Sequence, residues 1–201
     1  FRSRSSTTFI FFSIFKSFKS GDLSFARVFK LKLRSYVKGS GSSSISSSMV
    51  LGFSGGKAVS IEIYSAGIAT DVCCDLDAIT RVLDNLLSNA IKKAPAGSTI
   101  SICFDEMVLP DTVPGAGHEA VPAVLVLVRD QGAGIPEDET EIIFFPYIQS
   151  RNEIAGSGGT GLGLAICKNL VEANGGSIEV ESKMEKGAAF RLQFPTQELA
   201  V

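Results

Sequence analysis

Residues 156–164 read Gly156-Ser157-Gly158-Gly159-Thr160-Gly161-Leu162-Gly163-Leu164, and what flanks this stretch decides the fold. A literal GxGxxG runs from Gly156 to Gly161. In a Rossmann unit that motif directly follows a strand. Here it follows Gln149 to Ala155, which is polar and carries no strand pattern, so that reading is disfavoured. A P-loop requires Gly-Lys-Ser/Thr. No Lys follows Gly161 or Gly163, so that reading is disfavoured too. The apolar spacing after the glycines predicts a helix from Thr160 to Asn174, stopped by Gly175-Gly176. The free backbone N–H groups and dipole at its start favour a phosphate.

Working outward, Val121 to Val128 is a near-continuous apolar run, as expected of a strand buried on both faces. It runs into Asp130-Gln131-Gly132-Ala133-Gly134-Ile135-Pro136. An Asp at the end of a buried strand can accept a hydrogen bond from an adenine amino group. The two glycines let backbone approach a flat ring. A simple Gly/Pro turn explains the same residues. Further upstream, Ile79, Val82, Leu83, Leu86, Leu87, Ala90 and Ile91 recur at three- and four-residue steps. They predict a helix over Asp75 to Lys93, with Asp75 as N-cap and Pro95 after the end. Asn85, Asn89 and Lys92 share one face of it at i, i+4, i+7. Amide oxygens suit Mg²⁺ and an ammonium suits phosphate, although a solvated polar face is the stronger reading of this stripe taken alone.

Strands are expected at Val59 to Tyr64 and Thr99 to Phe104, both alternating, and at Ser177 to Ser182 and Ala188 to Phe194. The last two are joined by a turn around Glu185-Lys186-Gly187. Pro110 to Pro122 is a Gly/Pro-rich loop that carries His118, the single His. Paired strands without regular alternation of helices imply an α/β (α+β) two-layer sandwich, a mixed sheet with helices on one face.

The three polar elements, in this order and in these contexts, resemble the GHKL ATPase superfamily, and most closely the catalytic domains of sensor histidine kinases. The resemblance runs from about Gly56 to Pro195, giving an expected domain of residues 56–196. Asn85 to Lys92 is similar to the N box, Asp130 to Pro136 to the G1 box, Gly159 to Leu164 to the G2 box, and Phe144-Phe145-Pro146-Tyr147 to the F box. The resemblance implies a Bergerat-type fold, a mixed sheet against about three helices, with Pro146 to Gly159 as a mobile ATP lid.

It also implies ATP and Mg²⁺ as ligands. Asn89 would coordinate the metal with Asn85 assisting, and Lys92 would reach the phosphates. Asp130 would bind the adenine amino group, and Gly132 and Gly134 would shape its pocket together with Ile135 and Lys93. Gly159, Thr160, Gly161, Leu162, Gly163 and Leu164 would line the phosphate end, with Tyr147 beside them and Arg151 meeting the γ-phosphate. Gyrase B, MutL and the large heat-shock chaperones carry a Glu where this chain has Asn85. An amide is a poor general base, so phosphoryl transfer to a protein side chain is favoured over hydrolysis.

The expected activity is that of a histidine-kinase-like phosphotransferase, with a phosphoacceptor His domain and a response regulator as partners. The family's acceptor His sits upstream in a two-helix dimerisation domain, and no such segment is visible here. The phosphate is therefore expected to go to a His on a separate or missing domain, the domain through which the family is usually homodimeric. A non-catalytic nucleotide sensor and a GHKL-type serine kinase are the alternatives. Lys93 stands where an aromatic is frequent, Ala94 where Thr is frequent, and Ala189 where a hydroxyl is frequent. None of these departures removes a metal or phosphate group.

Composition sets the surroundings. The chain has 201 residues, 45% of them hydrophobic. Residues 1–50 hold nine Lys/Arg and one acid, Asp22, for a net +8; residues 51–201 hold ten against twenty, for a net −10. The acidic part argues against nucleic-acid binding. Residues 1–50 contain fifteen Ser, read as a disordered or transit-peptide-like leader with a flexible linker from Gly39 to Ser48. That leaves an intracellular location, with an organelle as one option. Phe9 to Phe15 is too short to span a membrane, which takes about twenty apolar residues. The first Met is Met49, as in a fragment or processed product. Cys73, Cys74, Cys103 and Cys167 contain no CxxC pair and are read as free thiols, the adjacent pair pointing to opposite faces of a strand.

Overall fold

A computed structural model describes residues 26–34, 45–53, 58–65, 72, 74–109, 121–151 and 159–196, with only the backbone given for the first two segments. Among these residues seven strands form one sheet: β1 (Ala26–Arg34), β2 (Ile45–Phe53), β3 (Ala58–Ser65), β4 (Thr99–Leu109), β5 (Val121–Arg129), β6 (Ser177–Ser182) and β7 (Ala188–Pro195). Their spatial order is β1-β2-β3-β4-β5-β7-β6. Among the described residues only β3 and β4 pair in parallel, with Ile61 opposite Ile100 and Ile63 opposite Ile102. A parallel pair needs a crossover, and helix α1 (Leu76–Lys93) supplies it.

The α1 apolar stripe is buried over its whole length, from Ala78 to Ile91. It lies on the inward residues of the sheet, among them Ile61, Ile100, Ile102, Val126, Val128 and Leu192. The Asp75 carboxylate caps the helix by accepting the N–H groups of Asp77 and Ala78. Ala94 leaves the helical region and Pro95 follows. Helix α2 (Gly163–Ala173) adds Cys167 and Val171 to the same core. Together with two 3₁₀ turns, Glu137–Glu139 and Ile142–Phe144, the helices make the second layer of an α/β sandwich.

Four expectations change. Strands β1 and β2 lie within or across the segment read as leader and linker. The reason is visible in the period-two run Lys30-Leu31-Lys32-Leu33 and in the pairing itself. Without β2, whose Met49 sits opposite Ile61, the N–H and C=O groups on that side of β3 would be left as an open edge. Second, β5 is not buried on both faces. Val124, Val126 and Val128 are buried, but Leu125 and Leu127 are only half covered, because helices cover one side of the sheet. Third, α2 begins at Gly163 rather than Thr160, since Gly161 has φ +69°. Fourth, Cys74 lies in irregular chain ahead of Asp75 rather than in a strand. Cys73, His118, the apolar patch at 9–15 and most of the expected lid, 152–158, lie outside the described residues. No helix among the described residues is long and apolar enough to cross a membrane.

Candidate functional site

The periodicity that buries one face of α1 leaves Asn85, Ser88, Asn89 and Lys92 on another. They form one wall of a cavity of about 230 Å³. Gly159, Thr160, Gly161, Gly163 and Leu164 form the facing wall where α2 begins. The two walls meet closely at Gly163. A Cβ there would lie 3.8 Å from Asn85 Oδ1 and 3.9 Å from Asn89 Nδ2. Helix α2 has no side-chain N-cap, because Leu162 occupies that position. Its first N–H groups are therefore not taken up by a capping side chain.

A third, apolar side comes from Ile135, Ile143, Ile148 and Phe190. Phe190 on β7 packs edge-on against Phe144 with ring centroids 6.5 Å apart. That contact pins the Ile142–Phe144 turn to the sheet and sets Ile143 against the cavity. Gln149 and Ser150 complete the lining.

Asp130 is 6% exposed and does not line the cavity. Its Oδ1 accepts the N–H of Gly132 at 2.7 Å and of Ala188 at 3.3 Å. Burial raises its carboxyl above the ordinary aspartate value, opposed by those two N–H groups and by the charge of Lys93. Gly132 fits tightly here, since a Cβ would come within 2.9 Å of Asp130 Oδ1. Gly134 plays another part. Its φ is +79°, and a Cβ would lie 2.3 Å from the Lys183 carbonyl oxygen. The loop is thus braced from below by the β6–β7 turn, where Glu185 N–H donates to Ala133 O at 2.7 Å and Ile135 N–H donates to Ser182 Oγ at 2.8 Å.

Of the residues picked out from the sequence, the cavity gathers Asn85, Asn89, Lys92, Lys93, Ile135, Gly159, Thr160, Gly161, Gly163 and Leu164. It does not gather Asp130, Gly132, Gly134, Leu162, Tyr147 or Arg151. Tyr147 is 76% exposed, with φ +66°, and its N–H donates to Gly161 O at 2.9 Å. The Arg151 guanidinium is paired with Asp138 and Glu139. Ser88, Ile143, Ile148, Gln149, Ser150 and Phe190 were not singled out, although Ser88 lies within the stretch similar to the N box and 148–150 within the expected lid. Only Ser88 carried a local signal, lying three residues past Asn85 on the same helical face.

Behind this wall, Cys167 donates its S–H to Val82 O at 3.7 Å. Burial pushes its thiol up to about 12, opposed by a hydrogen bond with Asn85. Cys103 is half-buried and, like Cys167, a free thiol. Among the described residues no group of three or more His, Cys, Asp or Glu is placed to hold a metal. A cation here would take amide oxygens from the protein and further oxygens from a ligand, which fits Mg²⁺ rather than zinc.

Residues 74–198 match the family described as histidine kinase-, DNA gyrase B- and HSP90-like ATPase. The adaptive-response sensory kinase SasA of Synechococcus sp. strain CC9311 is 36% identical over 135 residues, 64% of this chain and 32% of that protein. The sensor histidine kinase WalK of Bacillus subtilis strain 168 is 35% identical over 125 residues, 62% of this chain and 19% of that protein. This chain thus spans a third or less of these relatives. Among solved structures, full-length ShkA in complex with AMPPNP is similar with a TM-score of 0.51 and 26% identity, over 68% of this chain and 26% of that one.

Proposed function

Because the chain belongs to the histidine kinase-, DNA gyrase B- and HSP90-like ATPase family, we propose that its cavity binds Mg-ATP and presents the γ-phosphoryl group to a histidine on a separate domain. One observation carries this reading: the amide-and-ammonium face of α1 lies opposite the uncapped start of α2, with an apolar wall between. Such a cleft has one end for a flat apolar ring and another for anionic phosphates. An AMPPNP complex is reported for ShkA, which supports a nucleotide as the ligand class.

Each side chain has a task in this reading. Asn89 and Asn85 would hold Mg²⁺ through their carbonyl oxygens, and Lys92 would bind phosphate as a point charge. Bound Mg²⁺ neutralises charge on the phosphates during transfer. Asp130 keeps Oδ1 for the loop's own N–H groups, so the adenine amino group requires its other oxygen. Gly161 and Gly163 let the chain pass close to the phosphates, and Ile135 and Phe190 exclude water from the ring.

Phosphoryl transfer depends mainly on positioning and charge stabilisation. No carboxylate stands at Asn85 to activate water, which favours a protein acceptor over hydrolysis. The acceptor domain and a response regulator are the partners this requires. Calorimetry tests the binding step: Mg-ATP binds the wild type, and Asn89→Ala removes the metal-dependent part. A folded wild-type chain that binds no nucleotide refutes the reading. For transfer, a supplied acceptor domain becomes labelled with acid-labile phosphate. Acid-stable label would indicate a serine acceptor instead.

A further inference from the structure

One buried carboxylate is left unused by this function. Glu139 ends the first 3₁₀ turn and is 4% exposed. Its Oε2 accepts the Ser150 hydroxyl. Its Oε1 accepts Arg151 Nε at 2.6 Å and the Arg151 backbone N–H at 3.3 Å. The remaining guanidinium arm reaches Asp138. Three donors from two consecutive residues thus converge on one carboxylate, and those residues end the segment in which Ile148, Gln149 and Ser150 line the cavity. Gln149 in turn donates to Gly159 O, and Tyr147 N–H donates to Gly161 O. Contacts therefore run from Glu139 through residues 147–151 to Gly159 and Gly161 on the cavity wall.

We propose that Glu139 is a positioning residue for the phosphate end of the cavity, and that Arg151 serves Glu139 rather than the γ-phosphate. A buried carboxylate that loses its partners is strongly unfavourable, so the pairing resists release of Arg151 to a ligand. The planar fork of Arg151 matches two carboxylates in a way that a Lys ammonium cannot. The Ser150 hydroxyl, followed by Arg151, holds the Glu139 carboxyl below the usual range, against the opposing effect of burial. The pair is therefore charged at neutral pH.

This rests on the nucleotide reading above, and the test separates the two. The full chain is studied as wild type, Glu139→Gln, Arg151→Ala, Arg151→Lys and the Glu139→Gln/Arg151→Ala double variant. Calorimetry measures Mg-ATP and Mg-ADP affinity, and amide hydrogen exchange is followed without nucleotide. All three single variants weaken ATP and ADP alike by about five- to tenfold, and the double variant is no worse than the worst single one, as coupled residues behave. A phosphate-contacting Arg151 gives the opposite pattern: loss for ATP only, near-normal binding by Arg151→Lys, and additivity in the double variant. That pattern overturns the proposal.

Without nucleotide, the Arg151 amide is protected in the wild type and exposed in Glu139→Gln; unchanged protection overturns the proposal as well. If the wild type binds neither nucleotide, the proposed function fails, and the exchange comparison alone upholds or overturns the clamp. Should Glu139→Gln unfold, judged by circular dichroism, the two Arg151 variants decide, since that side chain is 68% exposed.

Discussion

Gly163 faces Asn89 across the groove between the two helices, with 3.9 Å separating the position of its missing Cβ from Asn89 Nδ2. That distance is ordinary van der Waals contact, so a methyl group fits without displacing backbone. Gly163→Ala therefore folds normally, and with a better helix former at the first position of α2 its stability is unchanged or higher by up to about 1 kcal/mol. The methyl nevertheless occupies space between the Asn85 and Asn89 amides and the helix start. Mg-ATP affinity falls by about tenfold, equivalent to roughly 1.4 kcal/mol. Calorimetry paired with urea denaturation separates the two effects. Equal affinity in a folded variant shows that phosphate does not lie between the walls.

Gly134 gives the reverse outcome. Its positive φ and the 2.3 Å approach to Lys183 O make any side chain strained. Gly134→Ala must push the β6–β7 turn away or twist the loop, at a cost of about 1–3 kcal/mol. Its Tm drops by roughly 2–12 °C. Because Gly134 is not on the cavity wall, nucleotide affinity of the folded protein at low temperature stays within about threefold of wild type. An affinity loss with unchanged Tm would show that Gly134 touches the ring directly.

The two glycines illustrate what could be read in advance. Helix α1 was legible because its burial is periodic and its N-cap and terminating Pro95 are local signals. Asn85, Asn89 and Lys92 followed from the same periodicity. Strand β1 was obscured by charge and β2 by serine, since their short apolar patterns sit in a basic, Ser-rich stretch whose composition reads as a leader. Of the cavity's third wall only Ile135 was legible. Phe190 and Ile143 meet through the Phe144–Phe190 ring contact, which joins chain segments more than forty residues apart. Arg151 was placed at the γ-phosphate by the family resemblance alone, as a residue of the expected lid. Its carboxylate partners, twelve and thirteen residues earlier, are visible only once the chain turns back.

Cys167 offers a labelling test of the helix pair. Its thiol is fully buried and pushed up to about 12 by that burial, so almost none is thiolate near pH 8. An alkylating reagent leaves it unmodified in the native protein and reacts only on unfolding. Saturating Mg-ATP slows that reaction further, because a ligand of the native state lowers the unfolded population. Mass spectrometry of the Cys167 peptide against time measures this. Rapid labelling in the native state would mean that α1 and α2 separate readily, in conflict with their shared core.

Asp130 links stability to function through its protonation. Its carboxyl is raised in the folded state, chiefly by burial. Between the ordinary aspartate value, about 4, and the raised one, the folded state binds more proton than the unfolded state. Stability from this group therefore falls as pH rises through that window and does not recover above it. Asp130→Asn removes the charge while its amide oxygen can still accept the Gly132 and Ala188 N–H groups. The variant is as stable as wild type at pH 4 and more stable at pH 7, with a higher Tm. Its nucleotide affinity moves the other way, falling by about 10–100-fold as a charge-assisted hydrogen bond to the adenine amino group is lost. Urea denaturation across that pH range, beside ATP titration at pH 7, checks both. A variant that loses stability at pH 7 would show that the Asp130 charge holds the loop together, and that the adenine contact is not what keeps a carboxylate in this buried place.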